Sequence, residues 1–370
     1  MYGPTALLSG ILAALVAGSA CLAPSTAPPP PAGSQSAPST AAAAPQPPAG
    51  IPPAPVKVRW GGQSVLTDSA VYIAEDQGYF REAGIDFEYV NFSSASEIVP
   101  SVANNQLDIG AVSPNVATLN ALARGAELKL VADRGVLRPG FGWSALVVRT
   151  DLIESGRYRT PADLRGLRVA ITPPVGVTSI AVAVARLLER EGLTEDAVEF
   201  IALPFPDMNP ALANRSIDAA VHSEPLMAIA LRQGLAVKVL GFDEVYPNQQ
   251  IGVVAYGESF VHSQPEAARR FMVAYLRGLR DFVDAFTKGR NREAVVESLA
   301  RHTAVKDLTM YEAMVPTGFN PDGYINVESI AADQEWFISQ GKLAQRVDLA
   351  RVIDHQYVDY ALALLGRYQP

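Results

Sequence analysis

Along residues 57–370, short apolar runs alternate with stretches of helical periodicity. Val56–Trp60, Phe87–Val90, Leu107–Val112, Leu128–Ala132, Leu146–Arg149, Leu167–Ile171 and Val198–Leu203 are short and rich in β-branched or aromatic residues, which predicts strands. Between them, Ala70, Ile73, Ala74 and Phe80 recur at helical spacing over 68–82, ending at Gly84. Ser93-Ser94-Ala95-Ser96 offers N-caps for a helix reaching Asn104, and 115–123 and Ser179–Glu191 predict two more. Strands separated by helices of this length need crossover connections, so the pattern predicts an α/β architecture with parallel sheets.

The pattern repeats. At an offset of 110 residues, Pro100, Ala103, Asn104, Leu107, Asp108 and Ser113 align with Pro210, Ala213, Asn214, Ile217, Asp218 and Ser223. With one gap the echo reaches Gly125–Leu130 against Gly234–Val239. Two copies of one supersecondary unit predict two similar lobes. Ligands of such sheets bind beyond the carboxyl ends of the strands, where loops run into helix N-termini.

The first 56 residues follow a different pattern. None is charged, so all 30 basic and 38 acidic residues fall in 57–370. The twelve-residue apolar stretch 6–17 is too short to span a bilayer and is followed by Gly18-Ser19-Ala20-Cys21, which predicts a secretory signal over 1–20. Cys21 is the sole cysteine of the chain and stands where lipoprotein precursors carry an acylated one; ordinary cleavage after Ala20 is the alternative. Residues 24–55 hold twelve of the 28 prolines and predict an extended tether, so 21–56 reads as anchor and spacer.

Composition narrows the function classes. A net charge of −8 argues against a nucleic-acid partner, and one cysteine excludes an intrachain disulfide or a cysteine-based zinc cluster. The four histidines, His222, His262, His302 and His355, are widely spaced with no HExxH pairing, so no metal site is predicted. No GxSxG elbow or GxxxxGK[ST] loop is present; no catalytic residue and no cofactor are expected.

The stretch from Tyr72 to Glu88, YIAEDQGYFREAGIDFE, resembles the aliphatic-sulfonate, nitrate and thiamine-precursor binding proteins of ABC importers. Asn104–Gly110 is similar to their G-x-LD-x-G turn, with Asn in place of the first Gly. Leu164–Ala170 is similar to their entry into the second lobe, and Asp348–Gly366 to their closing helix. The resemblance implies a type II periplasmic-binding fold: two α/β lobes with parallel-rich sheets joined by a two-crossing hinge. Lobe 1 would take 57–148 plus 243–370 and lobe 2 149–242. Ligand loops would begin at Gly61, Phe92, Ser113, Arg134, Pro173, His222 and Tyr246.

On this reading the candidate ligand residues are Trp60, Gln63, Asp68, Tyr72, Ser94, Asn115, Trp143, Thr178, Ser179, Glu224 and Tyr246. Several are equally at home in bland roles: Ser94 and Thr178-Ser179 as helix caps, Trp60 as core. Aromatic residues at predicted strand ends and in loops suit a flat heterocycle by stacking, whereas nitrate or a sulfonate asks for donors and Arg. Within the family the chain looks most like riboflavin-binding lipoproteins, with a thiamine pyrimidine precursor or an anion as alternatives. The resemblance further implies an ABC permease as partner, with Glu75, Asp76 and Glu82 as conjectured docking residues, and an extracytoplasmic, membrane-anchored location. A pyrimidine-forming enzyme of the same fold and a tethered sensor are the competing classes.

Overall fold

The computed structural model describes residues 55–92 and 95–370. The signal, Cys21, the tether up to residue 54, and Ser94 therefore lie outside the described residues. Ten strands form two sheets of five. The first contains β1 (Val56–Gly62), β2 (Ile85–Asn91), β3 (Ile109–Val112), β4 (Leu128–Asp133) and β10 (Val253–Gly257), in the order β2-β1-β3-β10-β4. The second contains β5 (Ser144–Arg149), β6 (Arg168–Ile171), β7 (Glu199–Ala202), β8 (Ala219–Ser223) and β9 (Ala236–Gly241), in the order β7-β6-β8-β5-β9.

The two orders are the same once β1 is matched to β6, β2 to β7, β3 to β8, β10 to β5 and β4 to β9. The sequence echo has a physical basis here. Asp108 Oδ2 accepts from Arg59 N and Nε at 2.8 and 2.9 Å, and Asp218 Oδ2 accepts from Arg168 N and Nε, both at 3.0 Å. Each arginine also donates to a carbonyl of a residue at positive φ, Asn105 or Arg215. The repeated aspartate is thus a clamp that pins the turn before β3 to the backbone of β1, and the turn before β8 to the backbone of β6.

Each sheet is mixed rather than all-parallel. β10 is antiparallel to β3 and β4, and β5 is antiparallel to β8 and β9. The reason is the route of the chain: β4 and β9 each run into a crossing, so the strand that follows enters the other sheet from the facing edge and runs back. Because β5 lies in the second sheet, the first crossing falls at 134–143, and residues 144–148 belong with lobe 2 rather than lobe 1.

Among the described residues, the longer helices include α1 (Ser69–Asp76), α2 (Ala95–Ala103), α3 (Val116–Ala123), α4 (Ser179–Arg190), α5 (Phe205–Ala213), α6 (Leu226–Arg232), α7 (Pro265–Thr287), α8 (Val327–Ser339) and α9 (Gln356–Leu365). The single helix expected over 68–82 is broken. α1 ends at Asp76, Gly78 adopts φ 76°, and a separate turn of helix covers Tyr79–Glu82, because a left-handed residue cannot continue an α-helix. Among the described residues no helix is long and apolar enough to cross a membrane.

Hydrophobic burial ties the lobes together. One cluster packs β1 and α1 beneath α7 and α9, with Trp60, Phe271 and Tyr275 among its members. A second runs without a break from Val112 and Val253 on the first sheet, with Leu119 of α3, to Leu146 and Ile171 on the second, with Val182 of α4.

Candidate functional site

The loops after the strands meet where the two sheets face each other. At the start of α3, Asn115 caps the helix by accepting from Thr118 N at 3.0 Å, and the next backbone N–H, Val116, donates across to Val177 O at 3.2 Å. Val177 precedes Thr178, the N-cap position of α4, in extended backbone. The interlobe contact thus joins one helix N-terminus to the approach of another. Thr178 makes no capping bond with its side chain.

Behind this contact lies a buried polar cluster built from three separate parts of the chain. Gln249, on the second crossing, is fully buried and donates from Nε2 to Ser179 O at 2.7 Å and to Asp333 Oδ2 at 2.8 Å. Asp333 is fully buried on α8, and burial pushes its carboxyl up to about 7. Tyr246 donates to Ser329 O at 3.3 Å, and the Arg186 guanidinium lies 3.4 Å over its ring. Four polar atoms here are buried without a hydrogen-bond partner among the described residues: Thr178 Oγ1, Ser179 Oγ, Gln249 Oε1 and Asp333 Oδ1. Buried polar groups are nearly always paired, with protein or with ordered water, so these atoms are available to a bound molecule or to water.

A second network sits on the first lobe. Asp68 pairs through Oδ1 with Arg134 Nε at 2.6 Å, and its Oδ2 accepts from Gln63 N at 3.1 Å and from the Tyr89 hydroxyl at 2.9 Å. Tyr72 reaches the Tyr89 hydroxyl at 3.1 Å, and its ring stacks on His302 at 4.7 Å. These bonds hold the loop after β1 rigid against the first crossing.

Glu224, after β8, is the third feature. Its carboxylate accepts from Ala228 N at 3.0 Å on α6 and from Val315 N at 3.2 Å, and burial raises its pKa to about 7. Next to it, His222 is fully buried. Ser223 N donates to His222 Nδ1 at 2.9 Å, which leaves Nε2 to donate to Asn209 Oδ1 at 2.8 Å. Burial lowers this imidazole to about 4, so it is a neutral structural group.

The structure therefore brings Thr178, Ser179 and Tyr246 into one cluster, with Asn115 beside the contact that faces it. Gln63, Asp68 and Tyr72 fall in a second network, and Glu224 N donates to Trp143 O at 2.9 Å. Two aromatic candidates are placed elsewhere than a contact surface. The Trp60 ring is fully buried, 6.0 Å from Phe271 and 6.1 Å from Tyr275, and offers no free face. Trp143 is 5% exposed and donates from Nε1 to Val136 O at 3.2 Å, so it serves the hinge core. The conjectured docking acids are partly engaged: Asp76 with Arg301 and His302, Glu82 with Arg277.

Gln249, Asp333, Tyr89 and Arg186 escaped sequence reasoning. Asp333 carried a signal: it lies between Ile330 and Phe337 on the buried stripe of α8, where a carboxylate is out of place. Gln249 carried none. Among the described residues, no group of three or more His, Cys, Asp or Glu is arranged to hold a metal ion.

Comparison with known proteins gives consistent results. The model of the family described as NMT1/THI5 like matches residues 68–285. A riboflavin-binding protein, RibY, of Chloroflexus aurantiacus is 26% identical over 302 residues, covering 78% of this chain and 81% of the relative. Among solved structures, the alkanesulfonate-binding protein SsuA of Xanthomonas axonopodis pv. citri superimposes with a TM-score of 0.64 at 20% identity, covering 82% of this chain and 99% of its own. The desulfurization enzyme DSZB superimposes at 0.58 with 15% identity, covering 84% and 99%.

Proposed function

The chain belongs to the NMT1/THI5-like family, and from that premise we propose that it is an extracytoplasmic solute-binding protein of an ABC importer. Its solute is a neutral, donor-bearing heteroaromatic molecule, with riboflavin the best candidate. The observation that carries this reading is the orphan set between the lobes. Gln249 has spent its amide donor, so its free Oε1 can only accept, while the two free hydroxyls of Thr178 and Ser179 can donate or accept. A carboxyl held near 7 is substantially protonated at neutral pH, so Asp333 Oδ1 adds little negative charge. Such a set is matched by N–H and O–H groups, which an isoalloxazine ring and a ribityl chain both present. Nitrate and sulfonates present acceptors only and would leave Gln249 Oε1 unpaired at a cost of about 1–3 kcal/mol.

The relative named for riboflavin binding supports the same ligand. An anion is the second reading, because the Arg186 guanidinium stands beside the cluster. On either reading, the solute acts by joining two lobes, since contacts made only across the gap favour the closed form. An enzyme of this fold is the less supported class, because the relative matched over most of this chain is named for binding, while the desulfurization enzyme DSZB shares the fold.

Thermal melts of the purified protein with riboflavin, a thiamine pyrimidine, butanesulfonate and nitrate separate the ligands. A ligand that binds only the folded form at 100 times its Kd raises stability by about 2.7 kcal/mol. The expected result is a shift with riboflavin that Ser179→Ala reduces; a shift with butanesulfonate alone would overturn the neutral-solute reading. We further propose that Cys21 is acylated and that the Pro-rich tether leaves the folded part free near a membrane surface. Cys21→Ala is expected to move the protein from the membrane to the soluble fraction; unchanged membrane retention would count against the anchor.

A further inference from the structure

A cavity of about 430 Å³ opens at the hinge, and none of Thr178, Ser179, Gln249 and Asp333 lines it. Every residue lining it comes from the two crossings or from 319–326, and none from 149–242. Its walls are apolar where Val136, Phe319, Pro321, Tyr324 and Ile325 contribute. The amides around it are spent on holding its shape. Gln250 donates to Asp133 Oδ1, Gly135 O and Gly252 O and accepts from Asn326 N. Asn320 Nδ2 is bound to Tyr324 O, and Asn326 Nδ2 to Asn248 O.

Two polar side chains of the lining remain uncommitted. The Arg138 guanidinium makes no ion pair or hydrogen bond with the described residues and only stands 5.2 Å over the Phe141 ring. The Asn248 side chain, on an exposed residue held at φ 61°, is likewise unbonded. No acidic residue lines the cavity, so Arg138 is the one charged group there. A volume in the range of small-molecule pockets, an apolar wall and one free guanidinium define a chemistry.

We propose that this cavity is a second ligand site, taking a small organic monoanion with an apolar body and a carboxylate directed at Arg138. It does not depend on the identity of the solute held between the lobes. Occupancy bears on closure through the backbone. The crossings pair with each other through the Val136–Gln250 bridge, Leu137 N to Gln249 O at 2.9 Å and Asn248 N to Leu137 O at 2.7 Å. Gln249 faces the interlobe cluster while its neighbour Gln250 backs the cavity, so a molecule seated there stiffens the ribbon that must bend when the lobes part. Coupling of this kind is reciprocal.

Calorimetric titration of the full chain with benzoate, and with the neutral isostere benzamide, tests the site. One benzoate per chain is expected, with benzamide at least tenfold weaker. Arg138→Gln is expected to weaken benzoate at least tenfold. Asn248→Gly, which keeps the positive φ, is expected to weaken it less than Arg138→Gln and stands in should that variant fail to fold. Absence of benzoate binding at millimolar concentration, equal affinity for benzamide, or wild-type affinity in both hinge variants would each overturn the proposal.

Discussion

At the scale of single residues, the two carboxyls at the lobe interface make the protein's stability depend on pH in a specific direction. Glu224 ionises near 4.5 when unfolded and near 7 when folded. Over that window the folded chain holds a proton that the unfolded chain has released, so this group's contribution falls as pH rises through the window and is level above it. At about 1.36 kcal/mol per pKa unit, the loss is on the order of 3 kcal/mol. Glu224→Gln removes the ionisation and cancels every other group in the difference. Melts at pH 5 and pH 8 are expected to show wild type losing ground to the variant at the higher pH; a gap that does not change would contradict the burial of this carboxyl. The same scale shows what the sequence leaves illegible. Thr178, Ser179 and Tyr246 of the interlobe cluster follow predicted strand ends, but Gln249 and Asp333 become neighbours only through long-range packing, 84 residues apart. Trp60 and Trp143 mislead for the opposite reason: strand-end position does not reveal that Phe271, Tyr275 and the first crossing cover their rings.

At the scale of elements, the contact between α1 and α7 is set by one glycine. A Cβ on Gly278 would stand 2.1 Å from Ala70 O and 2.9 Å from Ala74 N, so the two helices approach at a spacing only glycine permits. In an exposed helix, glycine to alanine gains about 1 kcal/mol of helix propensity. Here overpacking reverses the sign, and Gly278→Ala is expected to destabilise by roughly 1–3 kcal/mol, read as a lowered midpoint in urea. A raised midpoint would mean that α1 shifts freely on α7. Elements were the most legible level of this chain. The Asn-x-x-[LI]-Asp echo marked two equivalent turns because each aspartate makes the same clamp, to Arg59 in one sheet and Arg168 in the other. The helix over 68–82 was misread across Gln77-Gly78, since periodicity does not register a single left-handed residue.

At the scale of the whole molecule, two sheets of one strand order face each other, and each receives one antiparallel strand through a crossing from the other. That exchange is why the lobe boundary lies before Ser144: a strand called by its apolar run says nothing about which sheet it joins. The continuous apolar cluster and the Val116–Val177 hydrogen bond describe lobes in contact, with unpaired polar atoms enclosed behind that contact. The account stands on those atoms being the seat of a neutral solute. Flavin fluorescence during titration of riboflavin with the purified protein tests this most directly. Saturable quenching at a ratio of one to one, weakened by Ser179→Ala and untouched by excess butanesulfonate, is the expected result. Emission that stays constant through micromolar protein, or quenching that butanesulfonate abolishes, would contradict it.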